Sequence, residues 1–125
     1  MLFDTDVLIW LLRANPKAIN LVNGTAERRV SVVNYLELLK GARNRQELLA
    51  IKRFFPANDF EILPLTENIG HRAMVYIEEH GLKSGLGVAD ALIAATAVEN
   101  NLSLCTSNYK DYKNIIELEL AVFKP

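Results

Sequence analysis

Cysteine occurs once in this 125-residue chain, at Cys105, and histidine only twice, at His71 and His80. A lone cysteine excludes an internal disulfide, and so few soft or nitrogen ligands make zinc a poor fit. No apolar run approaches the roughly 20 residues that a membrane span needs. Met1-Leu2-Phe3 runs straight into Asp4, without a basic leader or a small-residue cleavage site, so no secretory signal is expected. Together these absences point to the cytoplasm and away from membranes. Net charge is only −1, so the whole-molecule balance gives no strong electrostatic hint of a partner.

What is present is half hydrophobic and 23% charged, the balance of a single globular domain over residues 1–125. Charge is unevenly spread. Residues 1–62 hold nine Lys/Arg against seven Asp/Glu, and residues 63–125 hold five against eight. The most basic stretch runs from Lys40 to Arg53, with Lys40, Arg43, Arg45, Lys52 and Arg53 against Glu47. It is either a solvated helix face, the simpler reading, or a track for a phosphate backbone.

Strand and helix signals alternate along the chain. Short apolar or β-branched runs at Met1–Phe3, Arg29–Val33, Phe60–Pro64, Leu102–Thr106 and Glu119–Phe123 read as strands. Between them lie helices: Val7 to about Arg13, Pro16 to Asn23, one capped by Asn34 and ending near Gly41, and one from Arg45 to Phe55 that Pro56 ends. A longer helix starts at Thr66 and stops at Gly81, and Val88–Glu99 forms one rich in alanine. This order favours an α/β fold with a mostly parallel central sheet covered by helices on both faces.

In such sheets, chemistry gathers at the carboxyl ends of the strands. Asp4 lies directly after the first strand, and Thr106 and Asn108 directly after the fourth. Glu37 falls in the first turns of the helix after the second strand, and Asp90 near the start of the alanine-rich helix. All can converge on one edge of a parallel sheet. Glu37 and Asp90 are each embedded among apolar neighbours, where an unpaired carboxylate is costly. Each is paired with an arginine, turned toward solvent, or part of an acidic cluster. Clustered acids repel, and a hard dication such as Mg²⁺ or Mn²⁺ removes the penalty. No Ser–His or Cys–His arrangement stands out. Cys105 reads as a small core residue, and Tyr109 and Tyr112 either stack on bases or anchor their loop to the core.

The same residues resemble the motifs of PIN domains. Phe3-Asp4-Thr5-Asp6 is similar to their opening signature. Ser31 through Gly41, with Glu37 six residues after Ser31, is similar to their second motif, and Leu86 through Ala97 to their third. Leu104-Cys105-Thr106-Ser107-Asn108-Tyr109-Lys110-Asp111-Tyr112 resembles the closing T-x-N-x-x-D-F motif. The resemblance covers nearly the whole chain in order, and its size suggests the VapC-type toxins.

It implies a PIN-like fold and a metal-dependent endoribonuclease that hydrolyses RNA phosphodiesters to 5′-phosphates. Asp4, Glu37 and Asp90 would bind Mg²⁺ or Mn²⁺. Asn108 stands where many relatives carry aspartate, so Asp111 is the candidate for the missing carboxylate. Thr5, Ser31 and Thr106 would be supporting or substrate-side hydroxyls; Asp6 is either a further ligand or, the simpler reading, a helix cap. It further implies a cognate antitoxin, whose segment enters the active-site groove, and a homodimer. Two functions compete: a degenerate PIN domain that binds RNA or protein, and a PIN nuclease of RNA processing outside any toxin system.

Overall fold

The computed structural model describes residues 1–125. Elements follow the order β1 (Leu2–Phe3), α1 (Thr5–Leu12), α2 (Pro16–Asn23), β2 (Arg28–Ser31), α3 (Val32–Lys40), α4 (Arg45–Ala57) and β3 (Phe60–Leu63). Then come α5 (Glu67–Ser84), α6 (Val88–Glu99), β4 (Leu104–Thr106), α7 (Tyr109–Tyr112) and β5 (Leu120–Val122). The five strands form one sheet in the order β3-β2-β1-β4-β5, with every pairing parallel. The expected α/β architecture is therefore the observed one.

Strand alternation sends neighbouring residues to opposite faces. Leu2 and Leu104 enter a core with Ile69, Ala73 and Tyr76 of α5 and Ile93, Ala94 and Ala97 of α6. Phe3 and Cys105 enter the other core, with Val7, Leu8 and Leu11 of α1, Ala18 and Val22 of α2, and Phe55 of α4. In that second core Phe3, Phe54, Phe55, Phe60 and Tyr35 pack edge-on or tilted, at centroid spacings of 5.2–6.2 Å. Alanines 94, 95 and 97 are fully buried, which lets α6 lie close to both the sheet and α5.

Four local expectations need correction. Val32 and Val33 are helical, not part of a strand, because Ser31 caps α3 by accepting the Asn34 amide at 3.0 Å. Asn34 is thus not the cap, and its side chain is free for other partners. Pro56 sits inside the last turn of α4, which ends one residue later. Helix α5 passes through Gly81 and ends only at Gly85, whose φ of 68° supplies the left-handed turn. The closing motif also contains a short helix, α7, which four residues are too few to announce by periodicity.

No helix is long and apolar enough to cross a membrane.

Candidate functional site

The strand order reverses between β1 and its two neighbours, since β2 and β3 lie on one side and β4 and β5 on the other. Such a switch point opens a crevice at the carboxyl edge of the sheet. Helices α1 and α3 start directly after β1 and β2 at that edge, and the Asp90–Tyr112 hydrogen bond brings the first turn of α6 there, so all three amino termini lie beside it. Their partial positive charge favours carboxylates there.

Register places the residues. Phe3 pairs with Cys105, so Asp4 emerges beside Thr106, and the Asp4 amide donates to the Cys105 carbonyl at 2.9 Å. Asp4 is only 5% exposed. Its Oδ1 accepts the Thr5 amide at 2.8 Å, capping α1, and the Asn34 amide group at 3.2 Å. Its Oδ2 accepts the hydroxyls of Thr106 at 2.8 Å and Tyr112 at 3.1 Å. The Tyr112 hydroxyl lies equally 3.1 Å from Oδ1 of Asp90, in the first turn of α6.

A second chain of bonds reaches Glu37. Ser31 Oγ donates to Asn34 Oδ1 at 2.6 Å, Asn34 Nδ2 donates to Thr5 Oγ1 at 2.9 Å, and Thr5 Oγ1 donates to Glu37 Oε1 at 2.7 Å. Asp4, Thr5, Ser31, Glu37, Asp90 and Thr106 therefore belong to one hydrogen-bonded constellation. Six ion pairs occur in the molecule, and none includes Asp4, Glu37 or Asp90. The arginine-paired reading of the two acids is thereby excluded; Asp90 is half-buried, whereas Glu37 is exposed to solvent and tied to the constellation through Thr5.

The acids feel one another. Burial raises the pKa of Asp90, Tyr112 opposes this by hydrogen bonding, and the charges of Asp4, Asp111 and Glu37 raise it further. Asp6 is also raised, first by burial and then by Asp4. No three acidic, histidine or cysteine side chains yet close on a single point where an ion could sit. Asp4 and Asp90 share the Tyr112 hydroxyl, and Glu37 stands one threonine away.

Asp6 behaves otherwise than expected. The cap of α1 is Asp4, and Asp6 lies in the first turn, accepting the Val7 amide at 2.7 Å and the Ser107 amide at 2.9 Å. It clamps α1 to the loop after β4. Asn108 is exposed; its amide donates to Thr106 Oγ1 at 3.0 Å, and its side chain caps nothing. Asp111, also exposed, is the closing-motif acid whose charge reaches Asp90.

Tyr112 is fully buried, so it is not a base-stacking surface; Tyr109 is half exposed. Asn34 and Tyr112 are the two members of the constellation that the motifs did not single out. For Asn34 a signal existed: it lies three residues before Glu37, on the same helix face.

A cleft of about 630 Å³ adjoins Thr5 and Glu37, walled by Ile9, Leu12, Leu38 and Ile51 and edged by Arg13 and Arg43. Of the basic stretch, only Arg43 lines it among the cationic residues, and Arg43 pairs with Glu47 at 3.1 Å. Arg45, Lys52 and Arg53 are exposed elsewhere on α4, so the stretch is mainly a solvated face.

Comparison with known proteins agrees with this geometry. A family model for the PIN domain matches residues 1–117. Ribonuclease VapC19 of Mycobacterium tuberculosis is 32% identical over 126 residues, spanning 94% of this chain and 96% of that protein. A toxin-antitoxin complex from Klebsiella pneumoniae contains a chain with TM-score 0.78 and 27% identity, covering 99% of this chain and 96% of its own. VapBC-1 from nontypeable Haemophilus influenzae gives TM-score 0.82 at 27% identity, with 97% and 96% covered. Acids gathered at the switch point of a parallel sheet and a family match over nearly its full length lead to one assignment: this chain belongs to the PIN-domain family.

Proposed function

We propose that this protein is a divalent-cation-dependent endoribonuclease and the toxin of a VapBC-type toxin–antitoxin pair. One observation carries the chemistry: Asp4 and Asp90 share the Tyr112 hydroxyl at a sheet edge, Glu37 joins them through Thr5 and Asn34, and none of the three has a basic partner. Such a set is an oxygen-only, negatively charged donor group, which suits Mg²⁺ or Mn²⁺. Asp4, Asp90 and Glu37 would hold the cation, and Asp111, rather than the neutral Asn108, would supply further charge at the rim. Once bound, the cation supplies charge to the scissile phosphate and makes a water molecule acidic enough to attack it.

The chain's own residues define the rest. Thr5 fixes the rotamer of Glu37, and Asn34 fixes Thr5 and Asp4 together. Ser31 and Thr106 are fully buried, and each already donates its proton within the network. Neither is free to attack a phosphate. Cys105 is buried in the core, and burial pushes its thiol up to about 12. The constellation thus offers no free protein nucleophile, which is consistent with the course that the PIN resemblance implies, in which water attacks and the 3′ oxygen departs, leaving a 5′-phosphate.

The cleft beside Glu37 supports the partner assignment. Its apolar walls and two arginines suit a segment that carries apolar anchors and acidic or phosphate groups, as the antitoxin or the RNA substrate would. The homodimer needs an apolar face, and the groove between α5 and α6, with exposed Met74 and Val88, offers one. Light scattering of the isolated chain checks it: a monomer mass at micromolar concentration removes the dimer.

The decisive experiment is RNA cleavage by Asp4→Asn and Asp90→Asn. Both are expected to lose at least about two orders of magnitude in rate, since each removes a ligand charge that positions the reaction. Circular dichroism should show both folded. Wild-type activity that persists in EDTA, or unchanged cleavage by either variant, would remove the assignment. Absence of any divalent-ion binding by calorimetry would favour a non-catalytic PIN domain instead.

A further inference from the structure

We infer that Tyr112 is a positioning residue, a hydroxyl brace that sets the spacing of Asp4 and Asp90 before a cation arrives. The inference rests on the nuclease reading above. The closing motif that this segment resembles ends in phenylalanine, and the hydroxyl is what this chain adds at that position. Its oxygen is 3.1 Å from Asp4 Oδ2 and 3.1 Å from Asp90 Oδ1, so those two carboxylate oxygens lie no more than twice that distance apart.

Tyr112 cannot leave. It is 0% exposed and heads the largest fully buried side chains of the molecule. Its ring is packed in the core with Ile93, Leu104, Ile115 and Leu118. A placeholder that swung aside on metal entry would need a second rotamer, and close packing provides no room for one. The hydroxyl is therefore a permanent floor between the acids. A phenol carries a single proton, and two acceptors compete for it. The brace thus offers one donor to two anions and holds both within reach of it. Thr106 adds a second donor to the same Asp4 oxygen, at 2.8 Å, which fixes the carboxylate plane.

Outer partners of metal-holding carboxylates typically change cation affinity by about 10- to 100-fold. Tyr112→Phe keeps the ring and converts the position to the motif residue, so the core should pack as before. The test titrates Mn²⁺ alone into wild-type protein and Tyr112→Phe by calorimetry, and follows RNA cleavage against Mn²⁺ concentration. The expected result is a Kd for Mn²⁺ raised about tenfold in the variant, with cleavage shifted to higher Mn²⁺ and largely recovered at saturation. Equal or tighter Mn²⁺ binding by Tyr112→Phe overturns the brace. Wild-type protein that neither binds Mn²⁺ nor cuts RNA overturns the nuclease reading itself, so the two failures are distinct. Should Tyr112→Phe not fold, the wild type suffices: the ¹³Cζ resonance of Tyr112 should move as Mg²⁺ saturates the site. A resonance unmoved at saturation overturns the brace as well.

Discussion

Asp90 is held in its folded place at a disadvantage, because burial and three neighbouring acids favour its neutral form. The sign of the consequence follows from proton counting. Its folded pKa is raised, so across the window above the ordinary value of 3.8 the native chain holds more protons than the unfolded one. Stability contributed by this group is therefore greatest at low pH and falls as pH rises through that window. Asp6 adds to the same trend. Asp90→Asn removes the charge yet keeps an oxygen for the Tyr112 hydroxyl. In metal-free buffer at pH 7, calorimetry should show a higher Tm for Asp90→Asn. The rise is several degrees if about 1 kcal/mol is released after solvent screening, since roughly 3–5 °C accompanies each kcal/mol at this size. Added Mn²⁺ should raise the wild-type Tm and leave the variant's unchanged. A lower Tm for the variant without metal would show that Asp90 is not strained.

Among elements, the packing of α5 on α6 is fastened at one residue. Arg72 of α5 donates to Glu99 at the end of α6 at 2.7 and 3.0 Å, and to Glu117, in the turn before β5, at 2.7 Å. Tyr76 adds its hydroxyl to Glu117. Hydrogen bonds to Glu99 and then Glu117 raise the Arg72 pKa, and the Tyr76 hydroxyl, with Arg72 behind it, lowers that of Glu117. Arg72→Ala should cost about 1–2 kcal/mol rather than the larger loss of a fully buried pair, because water partly screens it. Urea denaturation measures this, and a midpoint unchanged in Arg72→Ala would show the clamp to be idle.

Element identity was legible where the pattern was long: the alanine-rich run of α6, the apolar face of α4, and the β-branched Val30 strand. It failed where a single capping bond decided the outcome. Val32 and Val33 are good strand formers, yet the Ser31 hydroxyl caps α3 three residues before the expected Asn34. Gly81 carries a stop signal that only Gly85, by its positive φ, fulfils. In the site, Asp4, Glu37 and Asp90 could be ranked because an acid among apolar residues is conspicuous. Asn34 offered only its place on the Glu37 face of α3, and Tyr112 was hidden because a buried phenol in sequence resembles ordinary packing until its partners, Asp4 and Asp90, are known.

For the whole molecule, charge matters less by total than by which side chains edge the cleft. Arg13 and Arg43 come from α1 and the α3–α4 turn, and they face the same space as Glu37. If RNA passes there, each arginine neutralises about one phosphate. On a single strand, every phosphate left without its cation lowers the salt-dependence slope of binding by roughly 0.7. Arg13→Glu and Arg43→Glu should both weaken RNA binding and flatten that slope, whereas Arg45→Glu, which lies outside the cleft, should leave it near wild type. Filter binding across a salt series would reveal this; identical slopes in all three variants would place the RNA elsewhere.

Asp4 bonds to residues 102 and 108 positions further on, at Thr106 and Tyr112. Contacts so far apart in sequence close only once β1 and β4 have paired, so the acid cluster is a property of the assembled sheet and of no local segment. Any opening that parts those two strands disperses the acids before it melts the helices around them.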